Sequence, residues 1–361
     1  MSLKTTALNS LNAAHRVASR LPAVGAFRPL RGGFSALEAL QSGELDGCLT
    51  AKSQVTGSCP AGSMTELAGF QQNDHQPWPY FWTVTGDARL VGQMLHWRDP
   101  QDRICLEGVY HLPERRRLRE DRPFAQMWVP HPKKLPGAWT SITSPWNDCS
   151  NYYHWLLDGL TRLCLREELP EQTKILIPEK IPRFALETFR LLGLEQITFA
   201  TSSACVQPER YYFCSPLAMT GVWNPRGYEW LRKSFSIHFE APRSGPPIFL
   251  TRRGRARIPE NLAQIEIYFK NRGFEIVDCG AIQVKQQIQK ISAAPAVAGL
   301  HGAAMTNLLW ASPGIPVIEI FQCGYVNGCY EQIAFAGNLN YVHTINHPDI
   351  LEILQRWNQD F

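Results

Sequence analysis

Three stretches of this 361-residue chain carry side chains that could do chemistry together. In "NYYHWLLD" (151–158), His154 and Asp158 are one helical turn apart and so share a helix face. A first-turn position disfavours the imidazolium through the helix dipole and keeps His154 a neutral base. Asp158 can orient that ring or stabilise its charge. The plainer alternative is a buried histidine that caps its helix.

"FLTRRGRARIPEN" (249–261) ends a strand near Thr251 and delivers Arg252, Arg253, Arg255 and Arg257 into a loop. Guanidinium forks match phosphate oxygens bidentately, so Arg252 and Arg257 are candidates to neutralise a diphosphate leaving group. An exposed charge run is the alternative.

In "AVAGLHGAAMTNLLWASPGIPVIEI" (296–320) a short apolar strand ends at Leu300, and Gly302 precedes a helix. The amides of Ala303 and Ala304 then sit at a helix amino terminus, where unpaired N–H groups and the dipole favour an anion. Gly302 allows close approach of a phosphate, and His301 and Thr306 add side-chain donors. Glu319 is expected at the end of the next strand, open to the ligand, accepting hydrogen bonds from ribose hydroxyls as acidic residues of dinucleotide folds do. A packed helix with a core histidine is the alternative.

The elements that must position these groups are legible as alternation. "YFWTVTGDARLVGQMLHW" and "RICLEGVYHL", within residues 80–110, look like strands. An amphipathic helix is expected over 151–169, then strand 174–178, helix 182–194, strand 196–200 and helix 227–239. "APRSGPP" (241–247) reads as a linker. After it come strands at 248–252, 274–280, 296–300, 316–321 and 340–345, with helices at 261–273, 285–294, 303–311, near 329–337 and at the carboxyl end. The fold class is α/β: two Rossmann-like lobes with a cleft between them. Residues 1–120 are expected to be an extension with strands at about 80–110, 121–240 an acceptor lobe, 241–345 a nucleotide-binding lobe and 346–361 a terminal helix.

The formal charge of +4 permits an anionic ligand but lacks the dense basic face of a nucleic-acid binder. The run Arg115–Arg119 reads as a solvated face, with contact to an acidic acceptor or a membrane surface as the alternative. Nothing approaches the apolar length of a membrane span, and the apolar core of a secretory signal is missing. Glu38 is the first acid. A flexible amino terminus fits that bias, with an organelle transit peptide or lipid-facing arm left open. The expected location is cytoplasmic, with peripheral membrane association as a variant. The ten cysteines contain no C-x-x-C, so buried thiols are expected and a zinc site is not.

The order of "NYYHWLLD", "FLTRRGRAR" and "QQIQKISAAPAVAGLHGAAMTNLLWASPGIPVIEI" resembles glycosyltransferase family 61 across roughly residues 139–345. That family includes O-linked N-acetylglucosaminyltransferases, plant xylosyl- and arabinosyltransferases and bacterial capsule-associated members. The resemblance implies a GT-B fold, a nucleotide-sugar donor such as a UDP-sugar, a glycan or glycoprotein acceptor and inversion at the anomeric carbon. It also implies no essential metal or cofactor. Its HGA–TN–EI segment brings Asn307 into the donor site. Where the family usually reads "RxxNE" this chain has "RIPEN", so the arginine and polar residue of 255–261 that take that place stay open.

The chain contains no Asp-x-Asp, the usual holder of a divalent cation on the diphosphate in the other large glycosyltransferase fold. Two rivals belong to other classes. One is a nucleotide-binding scaffold without turnover, against which the His154–Asp158 pair argues. The other is a dinucleotide oxidoreductase, which lacks its G-x-G-x-x-G.

Overall fold

Downstream of residue 247 the expected strands form, and all of them run parallel. In the computed structural model Ile248–Leu250, Glu275–Val277, Val297–Leu300, Pro316–Phe321 and Asn340–Ile345 stand in the order second, first, third, fourth, fifth. The structure describes residues 26–27, 33–53, 78–92, 95–108, 128–143, 150–194, 197–200, 205–218, 220–254, 258–347 and 350–356.

The order reverses direction between the first and third strands, whose carboxyl ends are Leu250 and Leu300. In an open doubly wound sheet a ligand crevice lies at such a switch point. Helices Leu262–Lys270 and Ile350–Arg356 cover one face, packing Ile265, Phe269, Ile350 and Leu354 around Phe249. Helices Val284–Ala293 and Ala303–Trp310 bring Ile288, Ile291, Leu308 and Trp310 to the core on the other. Cover on both faces explains why Val297–Leu300 is apolar throughout rather than alternating.

The first half is a ten-stranded mixed sheet. Its parallel part comprises Lys133–Ser141, Lys174–Pro178, Ile197–Ala200 and Cys205–Cys214, in the order third, second, first, fourth. Cys205–Cys214 also pairs antiparallel with Trp78–Thr85 and Arg89–Val91, and the sheet continues to His96–Arg98, Ile104–Cys105 and Gly33–Phe34. The described strands between residues 33 and 105, in the segment expected to be an extension, are thus part of this sheet. The cause is the pleat of Cys205–Cys214. Tyr211 and Phe213 join Phe81, Leu90 and Trp97 in one cluster, while Tyr212 and Cys214 join Tyr80 and Leu165 in another, so the upstream strands complete both layers.

Lys133–Ser141 and Cys205–Cys214, central to this sheet, have no clear sequence signature. The ladder shifts register between Pro208 and Arg210, opposite Leu135 and Ala138, which puts one extra residue on the partner strand. Gly137 sits there at φ +86°, a conformation that favours glycine, and its N–H donates to Glu209 Oε2 at 2.7 Å.

The two sheets share a core. One cluster joins Ile142, Tyr153, Trp155 and Phe189 to Leu250, Met305, Trp310 and Tyr330. Among the described residues no helix is long and apolar enough to cross a membrane. Cys205, Cys214 and Cys329 are buried thiols as expected, whereas Cys323, beyond the last residue of a core strand, is exposed. The run Arg115–Arg119, the residues before Ala26 and Arg255 and Arg257 lie outside the described residues.

His96 carries a pH liability. Burial, then the neighbouring Arg98 charge, push its imidazole down to about 4. Its folded value lies below the unfolded one, so its contribution to stability is whole above about pH 6.5 and is lost as pH falls through about 4. Thermal melts at pH 7 and pH 4.5 should show His96→Gln recovering on the order of 2 kcal/mol of the acid loss. Equal acid losses in both proteins would acquit His96.

Candidate active site

Asn151 opens the helix that carries the first histidine, its side chain accepting from the Tyr153 N–H at 2.9 Å. The expected amphipathic helix forms here with a changing pitch. Tyr152–His154 is α-helical, Trp155–Gly159 is a π-helix and Leu160–Glu168 is 3-10. Close packing accompanies the change of pitch: a Cβ on Gly159 would lie 2.9 Å from the Ile142 carbonyl oxygen. The Thr161 hydroxyl donates to Leu157 O at 2.5 Å. Such π segments often occur where a helix serves a site.

Across this segment His154 Nδ1 meets Asp158 Oδ2 at 2.7 Å. Asp158 is buried, and Thr220 adds its hydroxyl at 2.9 Å from the same oxygen and 3.2 Å from His154 Nδ1. A carboxylate on Nδ1 fixes the ring proton there, leaving the lone pair of the neutral ring on Nε2. Thr220 comes from the irregular segment after Cys205–Cys214, far away in sequence, and no motif marks it.

The second histidine lies at the carboxyl end of Val297–Leu300, at the switch point. Its N–H donates to Ile320 O at 2.9 Å, and its carbonyl accepts from the Arg252 guanidinium. Arg252 lies over Gly302, where any Cβ would collide with it. Gly302 has extended backbone, and a side chain there would have to displace the Arg252 guanidinium. Ala303 and Ala304 begin the helix, which is 3-10 rather than α, and their amides are the first of its run.

Glu319 is corrected in position. It lies within the strand, is 0% exposed, and bonds inside the protein through both oxygens. Oε1 meets His301 Nδ1 at 2.5 Å, and Oε2 accepts from the Tyr341 hydroxyl. Burial pushes its carboxyl above the ordinary range, while the His301 and Tyr341 hydrogen bonds pull it back. A ribose-facing place at an open strand end does not fit these contacts.

Asn307 is corrected likewise. Also 0% exposed, it donates to Gln287 Oε1 at 2.9 Å and Ala304 O at 3.0 Å. Its Oδ1 accepts from Trp310 Nε1 at 3.1 Å and from Tyr152 Oη at 3.3 Å. With those partners it ties the His154 helix to the His301 helix. Thr306 is fully buried. Arg253 turns away to pair with Glu266, its Nε 2.9 Å from Oε1.

Aromatic rings join the two histidines across the halves. Tyr153 lies 5.3 Å from His154 and 5.7 Å from Tyr330, whose ring is 5.1 Å from His301. Burial pushes both phenols far above their ordinary range, so they remain neutral. A surface hollow of about 900 Å³ lined by Leu163, Arg166, Leu191 and Trp230 contains none of the candidate residues. Among the described residues no cluster of three or more His, Cys, Asp or Glu side chains is disposed to hold a metal ion.

The arrangement thus offers a carboxylate-oriented histidine on one half. The other half supplies a cationic loop with a second carboxylate-held histidine. The family model Glycosyltransferase 61 matches residues 152–318, taking in both histidines and Arg252 and stopping short of Glu319. No curated protein matches the chain.

Proposed function

Residues 152–318 belong to glycosyltransferase family 61, the chain is therefore a glycosyltransferase, and we propose that its donor is a nucleotide sugar, a UDP-sugar. The acceptor is a hydroxyl of a glycan or glycoprotein, the anomeric configuration inverts, and no metal is essential. The two sheets are read as the lobes of a GT-B fold, and the site of action as cytoplasmic, at or near a membrane surface.

What carries the reading is the pairing of His154–Asp158 with the Arg252–His301–Gly302 loop through adjoining tyrosine rings. The acceptor oxygen attacks the anomeric carbon in line and gives its proton to His154 Nε2. Asp158 balances the imidazolium that forms. The bond from anomeric carbon to phosphate oxygen breaks, and its electron pair leaves with the nucleoside diphosphate. Arg252 and the first amides of the Ala303–Trp310 helix stabilise that developing charge, the work a cation does in other transferases. Arg257 is assigned to the same diphosphate.

A panel of UDP-, GDP- and CDP-linked sugars, assayed for product and released nucleotide, tests the proposal. Transfer is expected to persist in EDTA, with product of inverted configuration by NMR. Activity abolished by chelation and restored by magnesium or manganese would overturn the metal-free reading. Nucleotide binding without transfer to any acceptor would favour a scaffold instead.

A further inference from the structure

Glu319 and Tyr341 lie beyond the matched segment, and the reaction described above uses neither. Yet the structure commits a wholly buried carboxylate to one histidine. A charge buried in a strand costs several kcal/mol unless its hydrogen bonds are met. Here His301 meets one oxygen and Tyr341 the other. The parallel register sets Val317 beside Tyr341 and Glu319 beside His343, so Tyr341 reaches Glu319 from one step back on the edge strand.

The ring these groups hold is fixed on its other sides too. Phe321 stacks on His301 at 4.8 Å and 27°, Tyr325 lies at 5.3 Å and Tyr330 at 5.1 Å. The backbone of His301 is pinned at its N–H by Ile320 and at its carbonyl by Arg252. A ring locked in that way has one direction for its second nitrogen.

We infer that Glu319 and Tyr341 are positioning residues: they hold His301 Nδ1 to the core so that Nε2 is presented to the diphosphate of the donor. The inference rests on the nucleotide-sugar reading and replaces a ribose contact by Glu319 with an action through His301. Tyr341 holds the carboxylate, the carboxylate holds the imidazole, and the imidazole joins Arg252 and the helix amides around the leaving phosphates.

Calorimetry with UDP, and with GDP and CDP in parallel, provides the test on full-length protein. Glu319→Gln and the shape-conserving Tyr341→Phe should each raise the Kd of the preferred nucleotide, by about 10-fold for the first and less for the second. In a His301→Gln background neither change should weaken binding further, because residues that act through one group are not additive. Equal losses in both backgrounds would mean that Glu319 touches the nucleotide itself and would overturn the inference. Unchanged affinity in folded variants would do the same.

A second readout needs no ligand. The Nδ1 proton of His301, assigned by its loss in His301→Gln, should resonate strongly downfield in the wild type and move upfield in both variants. If the wild type binds none of the three nucleotides, the donor reading falls while this spectrum still judges the hold on His301. A Nδ1 proton unmoved by either substitution overturns it.

Discussion

His154→Ala should lower kcat by about 10²–10⁴-fold, the usual contribution of a positioned general base. The Kd for nucleotide should stay within about twofold, because the donor contacts assigned above come from the other half. Only the transition state needs the proton removed, so the loss belongs in kcat rather than in binding. His154→Asn is the companion variant. It keeps a polar side chain that can still meet Asp158 and Thr220, both within 3.2 Å of Nδ1 in the native protein. Pre-steady-state and steady-state rates on folded protein decide the matter. Near-normal kcat would make His154 structural and turn attention to Asp158. A joint loss of affinity and turnover would mean that the helix faces the donor.

Asn307→Ala should destabilise the fold by about 3 kcal/mol, since it leaves several buried polar groups without partners at once. The substitution strips acceptors from Trp310 Nε1 and Tyr152 Oη and a donor from Gln287 Oε1, all of them buried. Asn307→Asp should also fail, because a carboxylate oxygen would then face Gln287 Oε1. Urea denaturation followed by tryptophan fluorescence measures the effect. A loss below about 1 kcal/mol would place Asn307 back among residues kept for ligand contact.

The sequence was most readable where burial is simplest. Every strand between residues 248 and 345 is an apolar or β-rich run between turn signals, and the histidine loop follows from Leu300 and Gly302. Lys133–Ser141 and Cys205–Cys214 escaped because a proline, a glycine and charges interrupt them at a bulge. Periodicity located the His154 face but not its pitch, since the π segment depends on how closely Gly159 meets a distant carbonyl. In the sequence Glu319 looks like a ribose ligand because it stands at the expected carboxyl end of a strand, where acidic residues of dinucleotide folds meet the ribose. Its hydrogen-bond partners are instead His301, at the end of the neighbouring parallel strand, and Tyr341 on the strand that follows. The parallel register is the signal that could have found Tyr341.

The Tyr152–Asn307 bond spans 155 residues of chain, and that distance is also a delay. At about 5–20 residues per second on the ribosome, Asn307 is made roughly 8–30 s after Tyr152. Late in that interval the strands through Cys214 have been made, and the first half waits with the apolar side of its histidine helix uncovered. The nascent chain therefore presents a window for chaperone capture and for aggregation that closes only when the second sheet folds. Stalling translation between residues 250 and 300 should leave a chaperone-bound, protease-sensitive intermediate, and release should clear it.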